Sequence, residues 1–225
     1  MITIHYLNGN IVFRINNRCN NILDFKSEKL LSTLIVNDLI GGNCRVLFIL
    51  ESPNKKELSN RFPAAGASGK KLSKLILSQN KYQKIPFGRL LNNQYNYSEI
   101  KDELNKYGVM NVSQLPLQID SIKSEKSKDM LAEIYSKFKT IRNNPFSLNR
   151  NCDITSYIES AIKFDFFNRL DLIIENNLLE KIIPLGTVAH SFYSKYLFNS
   201  DSISVYGNKH PGRNGLRDLN VKVDS

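Results

Sequence analysis

Hydrophobic residues recur along this chain at two spacings, and each change of spacing marks the start or end of an element. Residues 2 to 15 alternate, with Ile2, Ile4 and Tyr6 before Asn8-Gly9 and Ile11, Phe13 and Ile15 after it. Asn-Gly between alternating runs predicts a hairpin, because both turn residues accept positive φ. Residues 1–20 are expected to form a peripheral hairpin extension. Leu30, Leu31, Leu34, Ile35 and Leu39 then recur at helical spacing, with Gly41-Gly42 as the expected stop. The pattern changes at Val46–Leu50, five apolar residues in a row. So short a run, closed by Ser52-Pro53, predicts a strand buried on both faces, as in parallel sheets. One carboxylate, Glu51, stands at its carboxyl end.

Small residues and glycines over 62–69 lead into a helix with Leu72, Leu75 and Ile76 inward and Lys70, Lys71 and Lys74 outward. Residues 80–96 read as an irregular loop around Pro86-Phe87-Gly88, and Ser98–Tyr107 as a helix capped by Ser98. Val109–Val112 is the second short strand, stopped by Pro116. Met130, Leu131, Ile134, Phe138 and Ile141 place a helix over 121–144, followed by a loop over 143–153. Ile154–Asn177 reads as helical, with a break near Phe164–Phe167. Lys181–Leu185 is a third strand, Gly186-Thr187 opens a helix carrying Phe192, Tyr196 and Leu197, and Ile203–Tyr206 is a fourth strand. Strands alternating with helices predict a three-layer α/β/α sandwich on a mostly parallel four-stranded sheet, with the whole of 1–225 as one domain.

Charge sharpens the picture. Lys+Arg 31 against Asp+Glu 21 gives +10, and pI ≈ 9.4. Such a surplus favours a polyanionic partner, most simply nucleic acid, with general solubility as the plain alternative. No apolar run approaches the ~20 residues that span a bilayer, so no membrane association is expected. The first residues do not form a signal peptide, and the expected location is cytoplasmic. Cys19, Cys44 and Cys152 are scattered and odd in number, which draws neither a disulfide framework nor a metal site.

Three predicted strand ends carry polar residues: Glu51-Ser52-Pro53, Asn111-Val112-Ser113 and His210-Pro211-Gly212. In open α/β sheets ligands bind beyond the carboxyl ends of the strands, so an acid, an amide and an imidazole there form a plausible catalytic set. Taken singly each has a plainer reading: a solvated charge or cap partner, a turn former, a surface loop residue.

The ordered set resembles the uracil-DNA glycosylase superfamily, closest to the branch whose first motif is Gly-Glu-Ala-Pro. Here that motif reads Leu50-Glu51-Ser52-Pro53. Its following segment reads Pro63-Ala64-Ala65-Gly66-Ala67-Ser68-Gly69. Asn111 matches the strand-end asparagine that reads the base, Leu185-Gly186 with Ala189 a strand-Gly-x-x-Ala step, and His210-Pro211 the start of the final motif. The resemblance spans roughly 45–215 and implies an enzyme that flips deoxyuridine from DNA and hydrolyses its N-glycosidic bond. It gives Asn111 the base edge, Glu51 the attacking water, and His210 the negative charge on the departing base. Ser52, Asn54 and Phe62 would line the base site. Gly66, Gly69, Lys70, Ser113, Gly212 and Arg213 would meet the DNA backbone, with Lys71 adding charge. No metal or organic cofactor is implied, and the partners are uracil-containing DNA in the nucleoid and a protein inhibitor or repair partner.

The sequence departs from the family at defined points. Ala64 stands where a Phe stacks on the base, so Phe62 is expected to supply the ring. Asn54 replaces a Gly or Tyr, Gly212 a Ser, and Asn214 a wedging Leu. The branch's iron–sulphur cluster needs four cysteines, and none is expected here. These departures keep a non-enzymatic DNA-binding module in view as the alternative. A nucleoside hydrolase is a weaker third reading, because a small substrate needs no +10 surface.

Overall fold

The computed structural model describes residues 2–7, 10–15, 25–147, 154–196 and 204–205, with side chains over 29–147 and 155–196. In chain order the elements are β1 (Ile2–Leu7), β2 (Asn10–Ile15), α1 (Phe25–Ser32), β3 (Leu39–Ile40), β4 (Val46–Leu50) and α2 (Lys55–Asn60). Then follow α3 (Ala67–Ile76), α4 (Asn80–Gln83), α5 (Phe87–Asn92), α6 (Lys101–Leu104), β5 (Tyr107–Asn111) and α7 (Glu125–Asn143). The remainder is α8 (Ile154–Glu175), β6 (Lys181–Pro184), α9 (Thr187–Ser194) and β7 (Ser204–Val205).

The four expected strands form a parallel sheet in the order β5-β4-β6-β7. The two-residue β3 adds an antiparallel edge beside β5. All five residues of β4 and all five of β5 are buried, and in β4 that burial on both faces reads as a continuous apolar run. Alternation divides the core in two. Val46, Phe48, Leu50, Tyr107, Val109, Ile183 and Leu185 face a layer built from α3, α4, α5 and α6. Leu47, Ile49, Met110, Val112 and Ile182 face α7, α8 and α9. The α/β sandwich expected from the sequence is the observed fold.

β1 and β2 pair antiparallel from Ile2↔Ile15 to Leu7↔Asn10, as their alternation predicts; the Asn8-Gly9 turn lies outside the described residues. Several boundaries differ from expectation. α1 ends at Ser32, and Leu39 belongs to β3, so the apolar spacing of Leu34, Ile35 and Leu39 is not that of one helix. The expected loop 80–96 is mostly helical, because Pro86 begins a short helix whose Phe87, Leu90 and Leu91 are buried. Ser98 does not cap a helix: residues 98–100 form a 3₁₀ turn before α6, and β5 already begins at Tyr107. α8 runs without a break through Phe164–Phe167. Leu197 lies outside the described residues.

Phe48 is the centre of the first core half. Its ring is edge-on to Phe87 at 6.2 Å and stacked on Tyr107 at 6.3 Å, and it is fully buried. Such aromatic pairs add stabilisation beyond the area they bury. Phe48→Ala is expected to lower the unfolding free energy by about 3–5 kcal/mol, read from urea denaturation.

Candidate functional site

The chain leaves β4 into α2–α6 on one face and leaves β5 into α7 and α8 on the other. The strand order reverses at β4, which has β5 on one side and β6 on the other, and in such sheets ligands bind beyond the carboxyl ends of the strands. Glu51 and Asn111 stand at that edge of the sheet. Leu50 is the register partner of Asn111, the Val112 N–H donates to the Leu50 carbonyl at 2.9 Å, and the Ser113 N–H to the Glu51 carbonyl at 3.2 Å. On the other side of β4, the Leu185 N–H donates to the Ile49 carbonyl at 2.8 Å, which brings Gly186 to the same edge.

Asn111 is fully buried, yet neither its side-chain nitrogen nor its side-chain oxygen has a hydrogen-bond partner. A buried polar group left unpaired costs about 1–3 kcal/mol, so two on one carboxamide call for a reason. Its backbone, by contrast, is fixed. The Asn111 N–H donates to Asp38 Oδ1 at 3.2 Å, and Arg169 Nη2 donates to the Asn111 and Val112 carbonyls at 3.0 and 2.8 Å. Arg169 also donates from Nη1 to Asp38 Oδ2 at 2.6 Å and from Nε to Asp165 Oδ2 at 2.9 Å. Burial pulls the Asp38 carboxyl upward while Arg169 pulls it back, and burial is the larger effect. None of Asp38, Asp165 and Arg169 was anticipated as part of the site. The available signal was the pair Asp165/Arg169 at i,i+4 inside an otherwise apolar helix.

Glu51 turns toward the other layer. Its Oε1 accepts from Arg142 Nε, on the last turn of α7, and from Gln118 Nε2 at 3.1 Å. Arg142 was also missed, being one cation among many on a lysine-rich helix. Ser52 Oγ accepts from the Leu117 N–H at 3.1 Å, which ties the turn after β4 to the loop after β5.

Asn54 caps α2: its Oδ1 accepts from the Lys56 and Glu57 N–H groups at 2.9 and 3.3 Å, and Glu57 reciprocates by accepting from the Asn54 N–H at 2.9 Å. The second Glu57 oxygen accepts from the Ala64 N–H at 2.6 Å. One buried carboxylate thus clamps both ends of the 54–64 segment and holds Ala64 at φ 53, in the left-handed region that a residue with a Cβ adopts at a cost. This loop is seated without clearance. A Cβ on Gly69 would stand 1.8 Å from the Ala64 carbonyl oxygen, and one on Gly88 would stand 1.8 Å from that of Pro63.

Of the residues expected at the base or the DNA, Glu51, Ser52 and Asn111 lie at the neighbouring carboxyl ends of β4 and β5, with Asn111 on the side of α3–α6 and the Glu51 side chain bonded to α7 in the opposite layer. Phe62 is buried, at 8% exposure. Lys70 and Lys71 are exposed, and Gly66 is half-buried. Gly69 and Ser113 are buried and present no donor at the surface: Gly69 packs on Ala64, and the Ser113 hydroxyl is engaged with both the Leu115 carbonyl and the Leu115 N–H. His210, Gly212 and Arg213 lie outside the described residues, as do Cys19 and Cys152. Cys44 is fully buried, and burial pushes its thiol up to about 12, which makes it inert. Among the described residues no group of three or more His, Cys, Asp or Glu is placed to hold a metal ion. No helix among them is long and apolar enough to cross a membrane. No protein-family model matches this sequence, and no match to it was found among curated proteins.

Two predictions follow from the buried charges. Arg169→Met leaves Asp38 and Asp165 as uncompensated buried carboxylates and is expected to cost about 3–5 kcal/mol of stability, measured by urea denaturation. Burial lifts the Glu57 carboxyl from 4.5 to about 7. Between those values the folded chain holds more proton than the unfolded one, so stability falls as pH rises from about 4.5 to 7, by up to about 3 kcal/mol. Unfolding midpoints across that window are expected to decline in the native sequence and to flatten in Glu57→Gln.

Proposed function

We propose that this protein is a DNA glycosylase of the uracil-DNA glycosylase kind, which flips uracil out of DNA and hydrolyses the bond between base and sugar. The observation that carries the reading is the unpaired, fully buried carboxamide of Asn111 at the carboxyl end of β5, beside the end of β4. A carboxamide donates and accepts at once, which matches the uracil edge and mismatches cytosine. Binding the right base gives both orphaned atoms their partners, and binding the wrong one leaves a buried group unmet at about 1–3 kcal/mol.

In this reading Glu51 orients or deprotonates the attacking water and favours the cationic sugar of the transition state. His210, assigned from its place in the sequence, donates a hydrogen bond to the charge that grows on the departing base. The +10 balance supports an extended polyanionic substrate over a free nucleoside, and chromosomal DNA in the cytoplasm is the proposed setting.

A second reading rests on Glu51 itself. Its Oε1 is already bonded by Arg142 and Gln118, as suits a carboxylate that serves to hold the loop in a DNA-binding protein without hydrolytic activity.

Base release from uracil-containing oligonucleotides, single- and double-stranded, separates the two. The glycosylase reading expects abasic sites, with single-turnover rates lowered at least about 100-fold in Glu51→Ala, Asn111→Ala and His210→Ala. A folded protein that binds the oligonucleotides and releases no base supports the second reading, and undiminished release in all three variants removes the site assignment.

A further inference from the structure

The positive surplus is not spread evenly. Residues 52–104, which build the layer through α6, carry ten Lys or Arg against four acids, and of those acids Glu57 is buried and Glu99 pairs with Lys81. The opposite layer is balanced, with seven basic and seven acidic residues in α7 and α8 together. The sheet therefore divides a layer with a net basic surplus from a neutral one.

Five of those cations gather around the loop 62–66. Lys55 and Lys56 open α2, and the Lys56 Cβ lies 3.6 Å from where a Cβ on Gly66 would stand. The Lys70 N–H donates to the Gly66 carbonyl at 3.2 Å, with Lys71 beside it. Arg89 follows Gly88, whose N–H donates to the Ala64 carbonyl at 3.2 Å. Among the described residues none of the five forms an ion pair. This is also the face to which Asn111 belongs, since its register partner Leu50 packs in the same core half as Ala64.

We propose that Lys55, Lys56, Lys70, Lys71 and Arg89 form a collar that grips a nucleic-acid backbone and lays it across the carboxyl ends of β4 and β5. Five like charges massed without partners repel one another, and a chain of phosphates relieves that repulsion while releasing its own counterions. A small anion would engage one or two of them. An anionic membrane surface is disfavoured because basic membrane-binding faces carry exposed apolar residues among the cations. Among the described residues the exposed large hydrophobics are Tyr95, Met130, Tyr157, Phe164, Leu172 and Leu178, and of these only Tyr95 lies in the basic layer, away from the five cations in sequence. The collar deepens the glycosylase reading by naming how the strand is held, but it is tested without any base chemistry.

The test is binding of the full chain to a fluorescent single-stranded oligonucleotide lacking uracil, followed by anisotropy over 50–200 mM salt. Five phosphate contacts to a single strand predict a log–log salt slope of about −3.5, or about a 100-fold loss of affinity across that range. The variant Lys55→Gln/Lys56→Gln/Lys70→Gln/Lys71→Gln/Arg89→Gln is expected to lose most of that slope. A charge-matched control, Lys29→Gln/Lys123→Gln/Lys126→Gln/Lys137→Gln/Lys139→Gln, is expected to keep it, with circular dichroism confirming that both remain folded. Equal losses in the two variants, an unchanged collar variant, or a native slope shallower than about −1 each overturn the proposal. So does binding to phosphatidylserine vesicles with none to the oligonucleotide. Should the collar variant not fold, Lys70→Glu/Lys71→Glu alone is expected to weaken oligonucleotide binding at least tenfold, and an unaltered affinity overturns the collar. Collar-dependent binding without uracil release removes the glycosylase reading and leaves the collar standing; uracil release at native rates in the collar variant does the reverse.

Discussion

A single buried guanidinium fixes the strand end on which the candidate site depends. Arg169 projects from α8 beneath the end of β5 and spends four hydrogen bonds there, on Asp38, Asp165 and the carbonyls of Asn111 and Val112. Those carbonyls lie on and just past the last rung of the β4–β5 ladder, where a strand end would otherwise face the interior with unmet acceptors. The planar fork of arginine reaches two carboxylates and two carbonyls at once, which a lysine cannot do. Because the backbone of Asn111 is satisfied from behind, its side chain is not drawn back to serve as a cap. The unpaired carboxamide is thus a consequence of how the strand end is held.

Topology then decides what surrounds that carboxamide. The chain moves from β4 to β5 across one face of the sheet and returns past β4 to β6 across the other. The layer reached first contains the short helices α2 to α5, with their cations outward and the Glu57 clamp inward. The layer reached second is long-helical and charge-balanced, and it supplies Arg142 to Glu51 and Arg169 to the strand end. Two residues at one edge therefore meet different environments. Asn111 shares its side with the basic layer and Glu51 shares its side with the neutral one, because β4 and β5 alternate in register and 51 and 111 fall on opposite phases.

Much of this could be read from the residues alone. Val46–Leu50 announced a doubly buried strand, and the spacing of Leu131, Ile134, Phe138 and Ile141 announced α7, because burial against a large core leaves a periodic trace. Helices of four or six residues leave none, and α4 and α5 were hidden inside a segment whose Pro, Gly and Asn content reads as loop. Asn111 was found from its place at a strand end. Asp38 was not, since nothing in an acid after an apolar stretch signals that a guanidinium from 131 residues away will meet it. The Asn54…Glu57 spacing did carry a readable capping signature. Its second use, reaching forward to the Ala64 N–H, depends on the fold of the loop and has no local trace.

The contrast between Asn111 and Glu51 bears on how a site of this kind would act. Asn111 enters binding with both side-chain atoms unmet, so a ligand that donates and accepts there displaces no protein partner. Glu51 enters already bonded to Arg142 and Gln118, but both of those bonds fall on Oε1. A carboxylate offers about four lone-pair positions over two oxygens, so a water can still be held by Oε2 while Arg142 keeps the group oriented. An acid so anchored is stiffer than one free in solvent, and in the proposed glycosylase reading stiffness helps to orient a water. Recognition and hydrolysis would then draw on opposite layers of the sheet, with the pairing of β4 and β5 setting the distance between them.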